Sequence, residues 1–152
     1  MKLKKDYLFL VFLTILLIFV FPMTVGASEQ PASKVYSVLE EWEFKGEMTT
    51  DMAQVINENI DQFMEKELER IKKLIEGDEP DSAFIAMLQL TSFLNAGAAK
   101  LPSIISRLEK WINEIKLVLN SLAKKIGADG FSISAGLPAG ISVGLSFPIF
   151  EF

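Results

Sequence analysis

The sequence predicts a mostly α-helical protein of the α+β class, with an N-terminal signal peptide, an antiparallel bundle of about four helices, and a C-terminal β-hairpin or extended alternating strand. Three observations predict this. Residues 7–21 form an unbroken apolar run behind Lys2, Lys4 and Lys5. Between residues 34 and 126 apolar side chains recur every three or four positions, the period of a helix packed on one face. From Phe131 to Ile149 every odd position is apolar and every even position is Ser, Gly or Pro, the period of two that marks extended backbone. The division expected from these patterns is a signal peptide over 1–27, a flexible leader over 28–33, a helical bundle over 34–127 and an alternating β segment over 128–152.

The first segment has the layout of an export signal. Its lysines form a positive n-region, Tyr7 to Phe21 the apolar h-region, Pro22 breaks the helix, and Val25-Gly26-Ala27 supplies small or permissive residues before a scissile bond. The alternative is an uncleaved anchor, since Tyr7 to Ser28 carries no charge and roughly 20 apolar residues span a bilayer. The expected location is therefore secreted or cell-envelope, with membrane anchoring by a retained N-terminal helix as the alternative. No Cys lies near the cleavage site, which excludes a lipid-modified N-terminus.

Each helix of the bundle follows from its own pattern. Val35, Val38, Leu39 and Trp42 repeat at helical spacing from about Lys34 to Phe44, where Gly46 ends the run. Thr49-Thr50-Asp51 is an N-cap cluster for a second helix, Asp51 to Glu76, whose apolar stripe includes Met52, Ile56, Ile60, Phe63, Leu68, Ile71 and Ile75. Gly77 is placed to close it in the left-handed conformation. Glu65, Lys66, Glu69, Arg70, Lys72 and Lys73 read as its solvated face. Pro80 and Asp81 start a third helix that is apolar nearly all round, from Phe84 to Leu94, and runs out across Asn95-Ala96-Gly97-Ala98-Ala99. A helix of that kind sits centrally in a bundle or contacts something else. Ser103 is read as N-cap of a fourth helix, Ile104 to Ile126, closed by Gly127. Trp42 and Trp111 fall on apolar stripes and read as packing residues.

The alternating tail carries no charge between Asp129 and Glu151. Leu137-Pro138-Ala139-Gly140 at its midpoint suits a type I turn, with Pro at the second position and Gly at the fourth, giving a hairpin of six to seven residues per strand. Its apolar side, Phe131, Ile133, Leu137, Ile141, Val143, Leu145, Phe147 and Ile149, is the candidate interaction or membrane face. A two-stranded hairpin is marginal alone in water, so this face needs a cover. The helices are the expected cover. Strand pairing between copies and insertion into a bilayer are the alternatives, because the segment lacks the charged residues that blunt sheet edges and resembles the hairpins that pore-forming proteins deliver.

Composition narrows the chemistry. There is no Cys and no His, which removes thiolate and imidazole nucleophiles and His-ligated metals. The acidic clusters Glu40/Glu41, Asp78/Glu79 and Asp78/Asp81 lack catalytic or calcium-loop spacing, and two lie at a helix start, where acids are expected electrostatically. No enzyme activity, cofactor or metal is expected. Taking Lys2, Lys4, Lys5 and Asp6 away with residues 1–27 leaves 12 basic against 19 acidic residues, a net charge of −7. That balance makes the chain a poor candidate for nucleic acid, and no nucleic-acid partner is expected. The expectation is an exported, non-enzymatic structural or interaction protein. Its partners are a second copy or another envelope protein engaged through the C-terminal segment, with a bilayer-inserting protein as the alternative. The export reading gives a mature chain beginning at Ser28, which N-terminal sequencing of host-derived protein will detect; full-length chain in the membrane fraction is the contrary result.

Overall fold

The first helix, α1, is Pro31–Lys45. It begins inside the stretch that the sequence marks as a flexible leader. Pro31 suits the first turn, where its missing N–H costs nothing, and Ala32 and Val35 just behind it are buried. In the computed structural model residues 30–136 and 140–146 are described, and those from Pro31 onward belong to one compact unit. Residues 1–27, which the sequence marks as an expected signal peptide, lie outside the described residues.

Helix α2, Thr50–Glu76, opens on Thr49, whose hydroxyl accepts the Met52 amide N–H at 3.2 Å. Its close differs from the expectation. Gly77 is not left-handed (φ −79°), and the reversal is made by Asp78 at φ +58°. The Glu79 N–H returns to the Leu74 carbonyl at 2.9 Å, and the Asp78 carboxylate reaches Lys125 at 2.5 Å. Asp tolerates the left-handed region better than most side chains.

Helix α3, Pro80–Lys100, continues to Lys100, past the Ala- and Gly-rich stretch where the sequence suggests it fades. Tertiary packing bears on the difference: a Cβ on Gly97 would stand 3.1 Å from both Ile56 Cδ1 and Ile104 Cδ1, tighter than ordinary contact, so glycine lets the helix approach without displacing these side chains. Close approach to α2 and the next helix outweighs a helix penalty of about 1 kcal/mol.

The fourth rod is interrupted. It comprises α4 (Ser103–Leu108), a 3₁₀ turn (Glu109–Trp111) and α5 (Ile112–Ile126), where an uninterrupted helix was expected. Ser103 is its first helical residue rather than the cap, and its hydroxyl donates to Asn57 Oδ1 at 3.2 Å. Around the tightened turn Arg107, Lys110 and Trp111 all converge on Asp61 of α2, at 3.2, 2.7 and 3.2 Å. Gly127 closes α5 in the left-handed conformation, φ +72°, as its position implies.

The contacts fix the directions of the rods. Asn57–Ser103 and Asp61–Arg107 show α2 and the fourth rod running the same way, with α3 antiparallel between them in sequence. Four rings carry α1 onto the bundle: Tyr36 on Phe63 (5.1 Å), Phe63 on Phe93 (5.9 Å) and Phe93 on Trp42 (5.5 Å). Trp111 is likewise half-buried against the core, with its indole N–H satisfied by Asp61.

The last element is a hairpin. β1 (Gly130–Gly136) and β2 (Gly140–Ser146) pair antiparallel, with Phe131 opposite Leu145, Ile133 opposite Val143 and Ala135 opposite Ile141. Each strand has seven residues and the connection falls on residues 137–139. Of the two readings the sequence allows, the structure takes the hairpin.

The Asp61 cluster gives a pH prediction. Partial burial raises the Asp61 carboxyl, but the bonds from Lys110, Trp111 and Arg107 outweigh it and hold the group below its ordinary value. A carboxyl depressed in the folded state stabilises above its unfolded pKa, about 3.9, and loses that contribution as pH falls through the folded value. Asp61→Asn should therefore be less stable than wild type at pH 7, and the difference should shrink steadily below about pH 4. Urea unfolding at a series of pH values measures it; a difference independent of pH would remove Asp61 as an acid-sensitive tie.

Candidate functional site

The hairpin lies with its apolar side on the helices. β2 packs along α3, and β1 packs on α5 and α4. Ile141 is 2% exposed and belongs to the main core, while Phe131, Ile133, Val143 and Leu145 pack half-buried at its margin. Leu137, Phe147 and Ile149, the other members of the face drawn from the sequence, lie outside the described residues. The opposite side is smooth and polar. Ser132, Ser134, Ser142 and Ser146 are exposed, and Ser134 Oγ and Ser142 Oγ are bonded across the strands at 2.8 Å.

Among the described residues, one side chain makes the polar connection between hairpin and bundle. The Asn95 Nδ2 group on α3 donates to the Ile141 carbonyl at 2.6 Å, and Asn95 Oδ1 accepts the Ile141 N–H at 2.7 Å. Both backbone groups of Ile141 therefore point away from β1, as they do at alternate residues of an antiparallel pair. The amide occupies the place where a third strand would pair, so it blocks the β2 edge at this residue. Gly140 makes the approach possible. It has φ +76°, and a Cβ there would stand 2.6 Å from Asn95 Oδ1, so both backbone conformation and space require glycine.

Two other polar clusters tie helices together. Glu67 is 3% exposed, yet its carboxylate accepts the Tyr36 hydroxyl (2.8 Å) and two nitrogens of Arg70, the closer at 2.6 Å. Burial, and then the carboxylate it donates to, push the Tyr36 hydroxyl above its ordinary range. This cluster joins α1 to α2, and the Asp61 cluster joins α2 to the fourth rod. Among the described residues, no buried side-chain nitrogen or oxygen lacks a partner and no three acidic side chains converge as metal ligands.

Sequence reasoning missed Asn95 and Glu67, although each left a signal. Glu67 falls on the α2 stripe between Met64 and Ile71, a charge where the period demands an apolar residue. Arg70, which the sequence assigns to the solvated face, turns back to neutralise it. Asn95 is a polar residue in the uncharged stretch of α3 between Asp81 and Lys100, at the place where the pattern suggests only fading. Compared with protein-family models, curated proteins and solved structures, the chain matches none.

Removing the Asn95 amide should weaken docking without touching the helices. Asn95→Ala leaves the Ile141 N–H and carbonyl unpaired in a buried place, at a cost of about 2–4 kcal/mol. Chemical denaturation gives the stability, and amide hydrogen exchange at Ile141 should accelerate selectively. Unchanged exchange at Ile141 would show that the apolar contact alone holds the hairpin.

Proposed function

We propose that this is an exported, non-enzymatic structural or interaction protein whose C-terminal hairpin covers the helical core. The observation that carries the reading is the docking of β2. Ile141 is buried in the core, and both of its outward backbone groups are taken by one helix side chain. A hairpin held in this way acts as a lid on α3 and α5 and turns an uncharged Ser and Gly surface outward. The sequence supports the rest: an export-type N-terminus, and no His or Cys to supply the commonest nucleophiles and bases. The acidic side chains with the most partners, Asp61 and Glu67, are committed to joining helices.

Replacing Ile141 and Val143 by Asp tests the reading, because it puts two charges on the apolar face in mid-strand. A cover should lose several kcal/mol of stability from buried, unpaired charge, and wild type and variant should both be monomers where folded. Denaturation and sedimentation report these quantities. An oligomer in the wild type that the variant abolishes, with helix content intact, would assign the hairpin to assembly. Dye leakage from vesicles by the wild type, absent in a well-folded variant, would assign it to membrane insertion, where charge at bilayer depth is costly.

A further inference from the structure

The two edges of the hairpin differ. Ile141 and Ala135 face each other without exchanging bonds, because the Ile141 N–H and carbonyl both go to Asn95. The alternation of an antiparallel pair then repeats at Ile133 opposite Val143 and at Phe131 opposite Leu145. The N–H and carbonyl groups of Phe131, Ile133 and Ala135 therefore point outward along the β1 edge. Those of Ser132 and Ser134 point inward, to β2.

Asn95 bonds Ile141 along the ladder direction, so α3 flanks the β2 edge at that residue. The β1 edge has no such neighbour. The sheet has two strands, and among the described residues no backbone group or side chain bonds the outward groups of Phe131 or Ile133. Ser132 and Ser134 between and beside them are exposed, so this side of the hairpin opens to water. Nothing in the sequence of the strand guards it either. From Gly130 to Gly136 there is no charge and no proline, the residues that blunt a sheet edge.

A row of N–H and carbonyl groups at every second strand residue is matched by an extended chain, which adds as a further strand. We propose that the β1 edge takes up an extended segment of another protein, with apolar side chains at alternate positions and no net negative charge. The alternation follows from the pleat. Apolar residues on the added strand would continue the side of Phe131 and Ile133, and small or polar ones the side of Ser132 and Ser134. The charge follows from this chain's own balance. Beyond residue 27 it carries 12 basic against 19 acidic residues, net −7, so a second copy or an acidic segment is repelled. The inference rests on the reading of the hairpin as a docked cover, since the helices hold one edge and leave the other free.

Amide hydrogen exchange, read residue by residue on protein from its host, tests this with a defined probe. The probe is a peptide of the β2 sequence, GISVGLS, flanked by two lysines at each end. Without it, the Phe131 and Ile133 amides should exchange fast and those of Ser132 and Ser134 slowly. Saturating peptide should slow Phe131 and Ile133 by roughly tenfold or more, because exchange follows the population of the unbonded form. A version flanked by glutamates should need a higher concentration. Ile133→Pro removes one outward N–H and leaves the bonds to β2, so it should abolish the slowing at Phe131 while Ser134 stays protected. Should that variant not fold, the unaltered protein still decides. Slow exchange at Ile133 without peptide, slowing that follows the protein's own concentration, tighter binding of the glutamate version, or no slowing with either peptide would overturn the inference. Ile141 separates this result from the reading beneath it. A protected Ile141 amide with no response at Ile133 removes only the added strand, whereas fast exchange at Ile141 removes the docked cover itself.

Discussion

A helix with no charge over 18 consecutive residues, Ser82 to Ala99, has to be enclosed, and the architecture is organised around that constraint. Such a helix is long and apolar enough to cross a bilayer, with a mean hydropathy of 1.3. In this fold α2, the fourth rod and the hairpin surround it instead, and half of its most apolar stretch is buried. A three-sided enclosure by helices alone would require a fifth long helix. The hairpin supplies that side with fourteen strand residues, because one of its faces is apolar and the other small enough to meet water.

Enclosure of this kind creates a polar problem at the strand edge. A β-strand laid against a helix leaves every second N–H and carbonyl facing away from its partner strand, and those groups need bonds once water is removed. At Ile141, the most buried strand residue, the Asn95 amide supplies a donor and an acceptor together. Asn is the shortest side chain that can do so, and Gly140 leaves it the room. The same two bonds occupy the β2 edge at Ile141, so docking and the blocking of that one edge position arise from one contact.

The remaining polar ties follow a common logic. Glu67 and Asp61 lie a turn and a half apart on α2 and reach in different directions, one to α1 and one to the fourth rod. Each carboxylate is met by an Arg and an aromatic donor: Arg70 with the Tyr36 hydroxyl, and Arg107 with the Trp111 indole, joined there by Lys110. Partnered charges of this kind add less to net stability than apolar burial does, but losing one partner is costly. Their contribution is to fix how α1 and the interrupted fourth rod are aligned on the long helix.

The elements were legible in the sequence because they depend on local periods. The stripes of α2 and α5, the caps at Thr49 and Gly127, and the alternating tail each state their structure within a few turns of chain, and the hairpin midpoint was marked by Pro138 and Gly140. Where prediction and structure part, a distant residue intervenes. α3 persists through Gly97, which lets Ile56 and Ile104 pack close, and the fourth rod tightens where three of its side chains meet Asp61. The left-handed residue after α2 is Asp78, beside Lys125, rather than Gly77. The apolar face of the tail could be read from alternation alone, but its cover could not, since an apolar strand face is equally suited to helices, another chain or lipid. That choice was made by the spacing of α3 and α5 and by an Asn 46 residues away from the strand it holds, a separation at which no local pattern carries information.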